Sequence, residues 1–109
     1  MDMNRTPKVW PVHDTGDHDL TPAERHGDLT VPLIAGRLED DLLNAPALVQ
    51  EITRRLGRMK RTDFLLAVGD PVAIGIACSV AAQRFGEFQI LKWDKKQRRY
   101  FPILVKLEE

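Results

Sequence analysis

Four groups of residues in this chain carry chemistry by type and spacing. The first is VGDPVAIG at 68–75, a strand–turn–helix pattern punctuated by glycines. A helix N-terminus at this point would expose backbone N–H groups and a partial positive charge, which suits a phosphate. The residues for such an anion site are Gly69, Asp70, Val72 and Gly75. The pattern is neither G-x-G-x-x-G nor a Walker A loop, because no Gly-Lys-Ser/Thr follows. Asp70 also sets a carboxylate where the phosphate would go. The same residues read as a capped core helix, with Gly75 allowing close packing.

The second group is an acidic, histidine-bearing stretch containing His13, Asp14, Asp17, His18, Asp19 and His26. Imidazole together with carboxylate binds zinc and similar ions, and a metal set would be His13, Asp17, His18 and His26. The spacing matches no tight metal motif, and a solvated loop has the same composition. His13 beside Asp14 is no acid–base pair by adjacency alone.

The third group lies at 92–100, where Lys92, Trp93, Lys95, Lys96, Arg98, Arg99 and Tyr100 place cations around two rings. Phosphate contacts with base stacking would use such a surface for RNA or DNA. Arg54, Arg55, Arg58 and Lys60 extend it if their helix lies alongside. Edge strands also carry Lys and Arg simply to prevent unwanted pairing. The last group is Cys78 alone, set among Ala, Ile and Val, where a thiol is hidden and inert.

These residues need elements to hold them. Residues 8–12 read as a short strand, which Pro7 and Pro11 confine to an edge or an irregular segment. Residues 13–28 are polar and turn-rich, with Thr21 to Glu24 fitting a capping box over one helical turn. Residues 29–34 form a short β-type run interrupted by Pro32, and 35–43 an acidic connector. Asn44 is an N-cap candidate, with Pro46 in the first turn. Leu48, Val49, Ile52, Leu56 and Met59 then follow at helical spacing, giving an amphipathic helix over about 46–60.

FLLAV at 64–68 is an apolar run of strand length, expected to be covered on both faces. Asp70, Pro71 and Gly86 bracket a helix over 71–85, whose nearly all-round apolar surface predicts that it is largely buried. Residues 87–93 and 99–107 form a β-hairpin across a polar turn at 94–98, and Pro102 assigns the second strand to an edge. The order is that of an α/β or α+β fold. A single small domain is expected, with a four- to five-stranded mixed sheet, one βαβ unit, two main helices and a C-terminal hairpin.

The chain has 109 residues, 43% apolar and 29% charged, which is one domain's worth of ordinary globular composition. Residues 1–7 read as a flexible tail. With one cysteine there is no intrachain disulfide, which suits a reducing cytoplasm. No apolar signal segment opens the sequence, and the longest nearly uncharged stretch, 71–83, is too short for a bilayer. Formal charge is zero but polarised. Residues 1–50 hold nine acids against four bases, and residues 51–109 seven acids against twelve bases. Such polarity orients a partner or a second copy, or it is neutralised within the fold.

Three stretches, 8–33, 63–82 and 88–107, resemble a group of small proteins encoded by tailed bacteriophages and prophages. The resemblance implies a phage accessory protein of the host cytoplasm. It brings no activity, so no functional residue is carried over. The expectation is a non-enzymatic interaction module that binds a host or phage macromolecule. The alternatives are a nucleotide or anion binder at Gly69 and Asp70, and an RNA- or DNA-binding protein using the basic tip. An enzyme ranks last, because no nucleophile–base pair stands out. No cofactor is implied. A protein partner is expected, and the Ala/Gly-rich helix at 71–85 and the edge strands make self-association a further expectation.

Overall fold

A computed structural model describes residues 6–36, 38 and 44–107. Residues 1–5 of the expected tail, and 37 and 39–43 of the acidic connector, lie outside the described residues. The strands are β1 (Lys8–Pro11), β2 (His13–Asp14), β3 (Asp28–Leu29), β4 (Ile34–Ala35), β5 (Phe64–Leu66), β6 (Glu87–Asp94) and β7 (Arg99–Lys106). The helices are α1 (Ala45–Leu56) and α2 (Pro71–Phe85), with a 3-10 segment at Thr21–Arg25. The fold is α/β. Five strands form one mixed sheet in the order β3-β1-β5-β6-β7, and β2 pairs with β4 separately. The first four run parallel and β7 returns antiparallel to β6.

The expected edge position for residues 8–12 is overturned, since β1 lies inside the sheet between β3 and β5. Pro11 is tolerated there for a geometric reason. Val12 N–H bonds Leu66 O at 3.2 Å toward β5, whereas Pro11 O accepts from Leu33 N–H at 2.9 Å on the other side. The nitrogen of Pro11 therefore points to the side where β3 has already ended at Leu29, and no ladder bond is lost. Pro32 splits the run expected at 29–34 into the ends of two short strands.

Both helices pack on one face. Trp10, Val12, Leu65 and Phe88 meet Leu48, Ile52 and Leu56 of α1 and Ala73, Ala77 and Ala81 of α2 in one apolar cluster. On the other face Val9, Leu66, Leu91 and Tyr100 lie under Leu20 and Ala23. Strand β5 is thus covered on both sides, as its unbroken apolar run requires.

The caps divide between expectation and correction. Asp70 accepts the Val72 N–H at 2.8 Å, Pro71 opens α2, and Gly86 closes it at φ +73° with its N–H on Ala82 O. Thr21 and Asn44, in contrast, make no side-chain cap. Thr21 is already inside the 3-10 segment, and Asp19 takes its N–H at 3.0 Å instead. Helix α1 ends at Leu56, short of residue 60. Helix α2 is less enclosed than its composition predicts, because Val72, Gly75, Ser79 and Gln83 face outward.

Two polar arrangements tie the layers together. Asp63 is fully buried and accepts from Lys8 N–H at 2.9 Å, Lys60 N–H at 2.8 Å and the Trp10 indole N–H at 3.1 Å. Arg84 donates to Leu56 O and Met59 O, while Arg61 donates to Phe85 O, so each helix C-terminus is held by an arginine next to the other. Among the described residues, no helix is long and apolar enough to cross a membrane.

Candidate functional site

The chain leaves β1 for β3 on one side and returns through α1 to β5 on the other. In open α/β sheets such a reversal opens a crevice beyond the carboxyl ends of the two strands, where ligands commonly sit. Here His13 fills it. Its side chain is buried, its Nδ1 accepts the Asp70 N–H at 2.9 Å, and its Nε2 bonds Gly36 O. Because Nδ1 accepts, the ring proton sits on Nε2 and is donated to the carbonyl. Gly69, at φ +100°, passes so close that a Cβ there would stand 2.2 Å from His13 Cβ. His13 is therefore a staple between three segments and not part of a solvated loop.

The same contacts close the anion cradle expected at Gly69 and Asp70. Its two leading donors are engaged: Asp70 N–H with His13, and Val72 N–H with the Asp70 carboxylate. Pro71 has no N–H to offer. Val72 and Gly75 lie elsewhere, on a shallow groove between the helices with Val49 and Thr53. Among the described residues, nothing outside its own stretch of helix comes within 4 Å of where a Gly75 Cβ would stand, so close packing is not its role.

Immediately beside the stapled crevice is a groove of about 720 Å³. One wall is Asp17, His18 and Asp19, the floor is Ala67 to Gly69 beyond β5, and the other wall is Trp93, Arg98 and Tyr100. The residues come from all three multi-residue candidate groups, brought together because the 13–28 loop folds over the ends of β5 and β6. Trp93 and Tyr100 are cross-strand partners and meet edge to face at 4.9 Å. Trp93 remains 37% exposed, whereas Tyr100 is 5% exposed and its backbone carbonyl accepts from His26 Nε2 at 3.0 Å. Burial pushes the Tyr100 phenol above its ordinary pKa, and the nearby Asp19 charge adds to this. The Asp19 carboxyl is held below the ordinary range by the hydroxyl and N–H of Thr21.

The metal set does not gather. His13 is in the staple, His26 sits against Phe64 at 5.8 Å, and only Asp17 and His18 share the groove. Among the described residues, no three His, Cys, Asp or Glu side chains come together as metal ligands. Lys92, Lys95, Lys96 and Arg99 are exposed around the hairpin. Arg54, Arg55 and Arg58 do not extend that surface. They line a second groove with Lys8 and Trp10 on the β1 side of the molecule, while the hairpin occupies the opposite sheet edge at β7. Cys78 is half-buried, and burial raises its thiol pKa.

Sequence reasoning missed Asp63 and the role of His13. The only signal for Asp63 was a lone carboxylate directly before an apolar strand. For His13 it was an imidazole directly after one.

No curated protein and no solved structure matches the chain. A model of the Phage Pam3 gp32-like protein family matches residues 7–107, which takes in both grooves and every strand of the sheet. The three stretches that resemble phage proteins all fall inside that match, and the chain belongs to the Phage Pam3 gp32-like protein family.

Proposed function

We propose that this phage-family protein is a non-enzymatic interaction module, and that it engages a protein partner through the groove between the 17–19 loop and the β6–β7 hairpin. The observation that carries this reading is Trp93, a large ring left half-open on a rim of mixed charge. Trp, Tyr and Arg are the side chains that most often dominate protein–protein contacts, and Trp93, Tyr100 and Arg98 share this groove. Arg98 also adopts φ +54° in the hairpin turn, a conformation better suited to Gly or Asn. Arg98 lines the groove, which gives a reason for an arginine at a position that disfavours one.

Nucleic acid fits this surface less well. Asp17 and Asp19 would repel a phosphate chain, and Tyr100 is too buried to receive a base. The test is a photo-crosslinking residue placed at Trp93 in phage-infected cells, with the same residue at Ile103 as control. A discrete protein adduct from position 93 and none from position 103 is the expected result. Equal labelling from both positions, or adducts to nucleic acid alone, overturns the proposal.

A further inference from the structure

The second groove lies on the opposite side of the sheet from the hairpin and has a different character. Its volume is about 420 Å³, within the usual range of small-ligand sites. Lys8, Arg54, Arg55 and Arg58 supply four cations to it, and no carboxylate lines it among the described residues. Glu51 bonds two of them, taking Nε and Nη2 of Arg54 and Nε of Arg55 and leaving their other N–H groups and Arg58 to a ligand. That contact orients both guanidinium groups and leaves the cationic charge in excess. Across from them stand Thr30 and Val31, the latter 74% exposed, with Leu33 and Trp10 almost fully buried beside them.

The helix dipole favours arginine near the C-terminus of α1, and that accounts for charge there but not for its neighbours. Lys8 comes from β1 and Val31 from the loop after β3, so three separate segments converge on the groove. We infer that this groove binds a small phosphate-bearing ligand with a flat apolar part, of the nucleoside phosphate type. Arginine forks match phosphate oxygens in a bidentate geometry, and Val31 offers the ring an exposed apolar side chain.

Trp10 makes the inference directly testable. In a Trp93→Phe background it is the remaining tryptophan, and it lines the groove. The probes are adenosine diphosphate, inorganic pyrophosphate and a single-stranded oligonucleotide, each titrated into the full chain. The expected result is saturable quenching of Trp10 by adenosine diphosphate. Pyrophosphate should bind at least tenfold more weakly for lack of a ring. Arg58→Ala with Arg54→Ala should lower the affinity for adenosine diphosphate at least tenfold, both side chains being exposed and outside the core. Lys95→Ala with Lys96→Ala should leave it unchanged. Three results overturn the inference: no saturable response to adenosine diphosphate, equal binding of pyrophosphate, or nucleotide and oligonucleotide binding that depends on the hairpin lysines and not on Arg54 and Arg58.

Discussion

At the scale of single residues, the chain relies on a few buried polar groups with every bond made. Asp63 answers three N–H donors from β1 and the turn before β5, and His13 joins β2, the end of β4 and the start of α2. A hydrogen bond contributes only about 1 kcal/mol net, but leaving a buried donor unmet costs about 1–3 kcal/mol. Such residues are therefore costly to change even though they form few bonds. Gly69 is the most constrained of their neighbours. A methyl group there would overlap both His13 Cβ and His13 O, and it would require φ +100° of a non-glycine residue. Steric overlap and backbone strain together should cost Gly69→Ala about 3 kcal/mol or more. Urea unfolding followed by far-UV circular dichroism measures this. A variant that unfolds at the parent midpoint would show that the His13 staple is not tight.

At the scale of elements, α2 shows how a helix can be well specified at its ends and loosely specified along its length. Asp70, Pro71 and Gly86 set its limits with bonds that the structure contains. Along the helix, Ala73, Ala77 and Ala81 face the sheet, while Gly75 stands on the outer side with open space around it. Glycine in a helix interior costs about 0.5–1 kcal/mol relative to alanine. Gly75→Ala should therefore raise the melting temperature by about 4 °C, read by differential scanning calorimetry. A fall in melting temperature would mean that another chain packs against that position. The α1–α2 pair is locked at its other end, where Arg84 and Arg61 hold the final carbonyls and both lie over the Phe85 ring.

At the scale of the whole molecule, the sheet has two edges of unequal risk. Strand β3 is two residues long, whereas β7 offers eight. Leu107 N–H bonds Gly86 O across to β6, so by alternation Pro102 directs its nitrogen outward, away from the ladder. Its missing donor interrupts the free edge near the middle, where Ile103 and Leu104 are exposed. Pro102→Val should restore a continuous edge and produce concentration-dependent association in sedimentation velocity, at concentrations where the parent does not change. If the two sediment alike across that range, the edge is protected by something other than Pro102.

The sequence by itself determined what depends on local patterns. It identified β5 as a strand buried on both faces, because a run of apolar residues without alternation leaves no polar side. It bounded α2 by its cap residues, and it assigned β7 to an edge through Pro102. Phage kinship was also legible, spread over three stretches that the family match encloses. The same local rule misplaced β1, because whether Pro11 harms a sheet depends on which neighbour its nitrogen faces and where that neighbour ends. Only the tertiary structure decided that Asp17, Trp93 and Arg98 share one groove while Arg54, Arg55 and Arg58 belong to another. Those groupings are set by strand order and by the folding of loops over strand ends. The first joins Asp17 to Arg98 and the second Lys8 to Arg58, separations over which no periodicity or cap carries information.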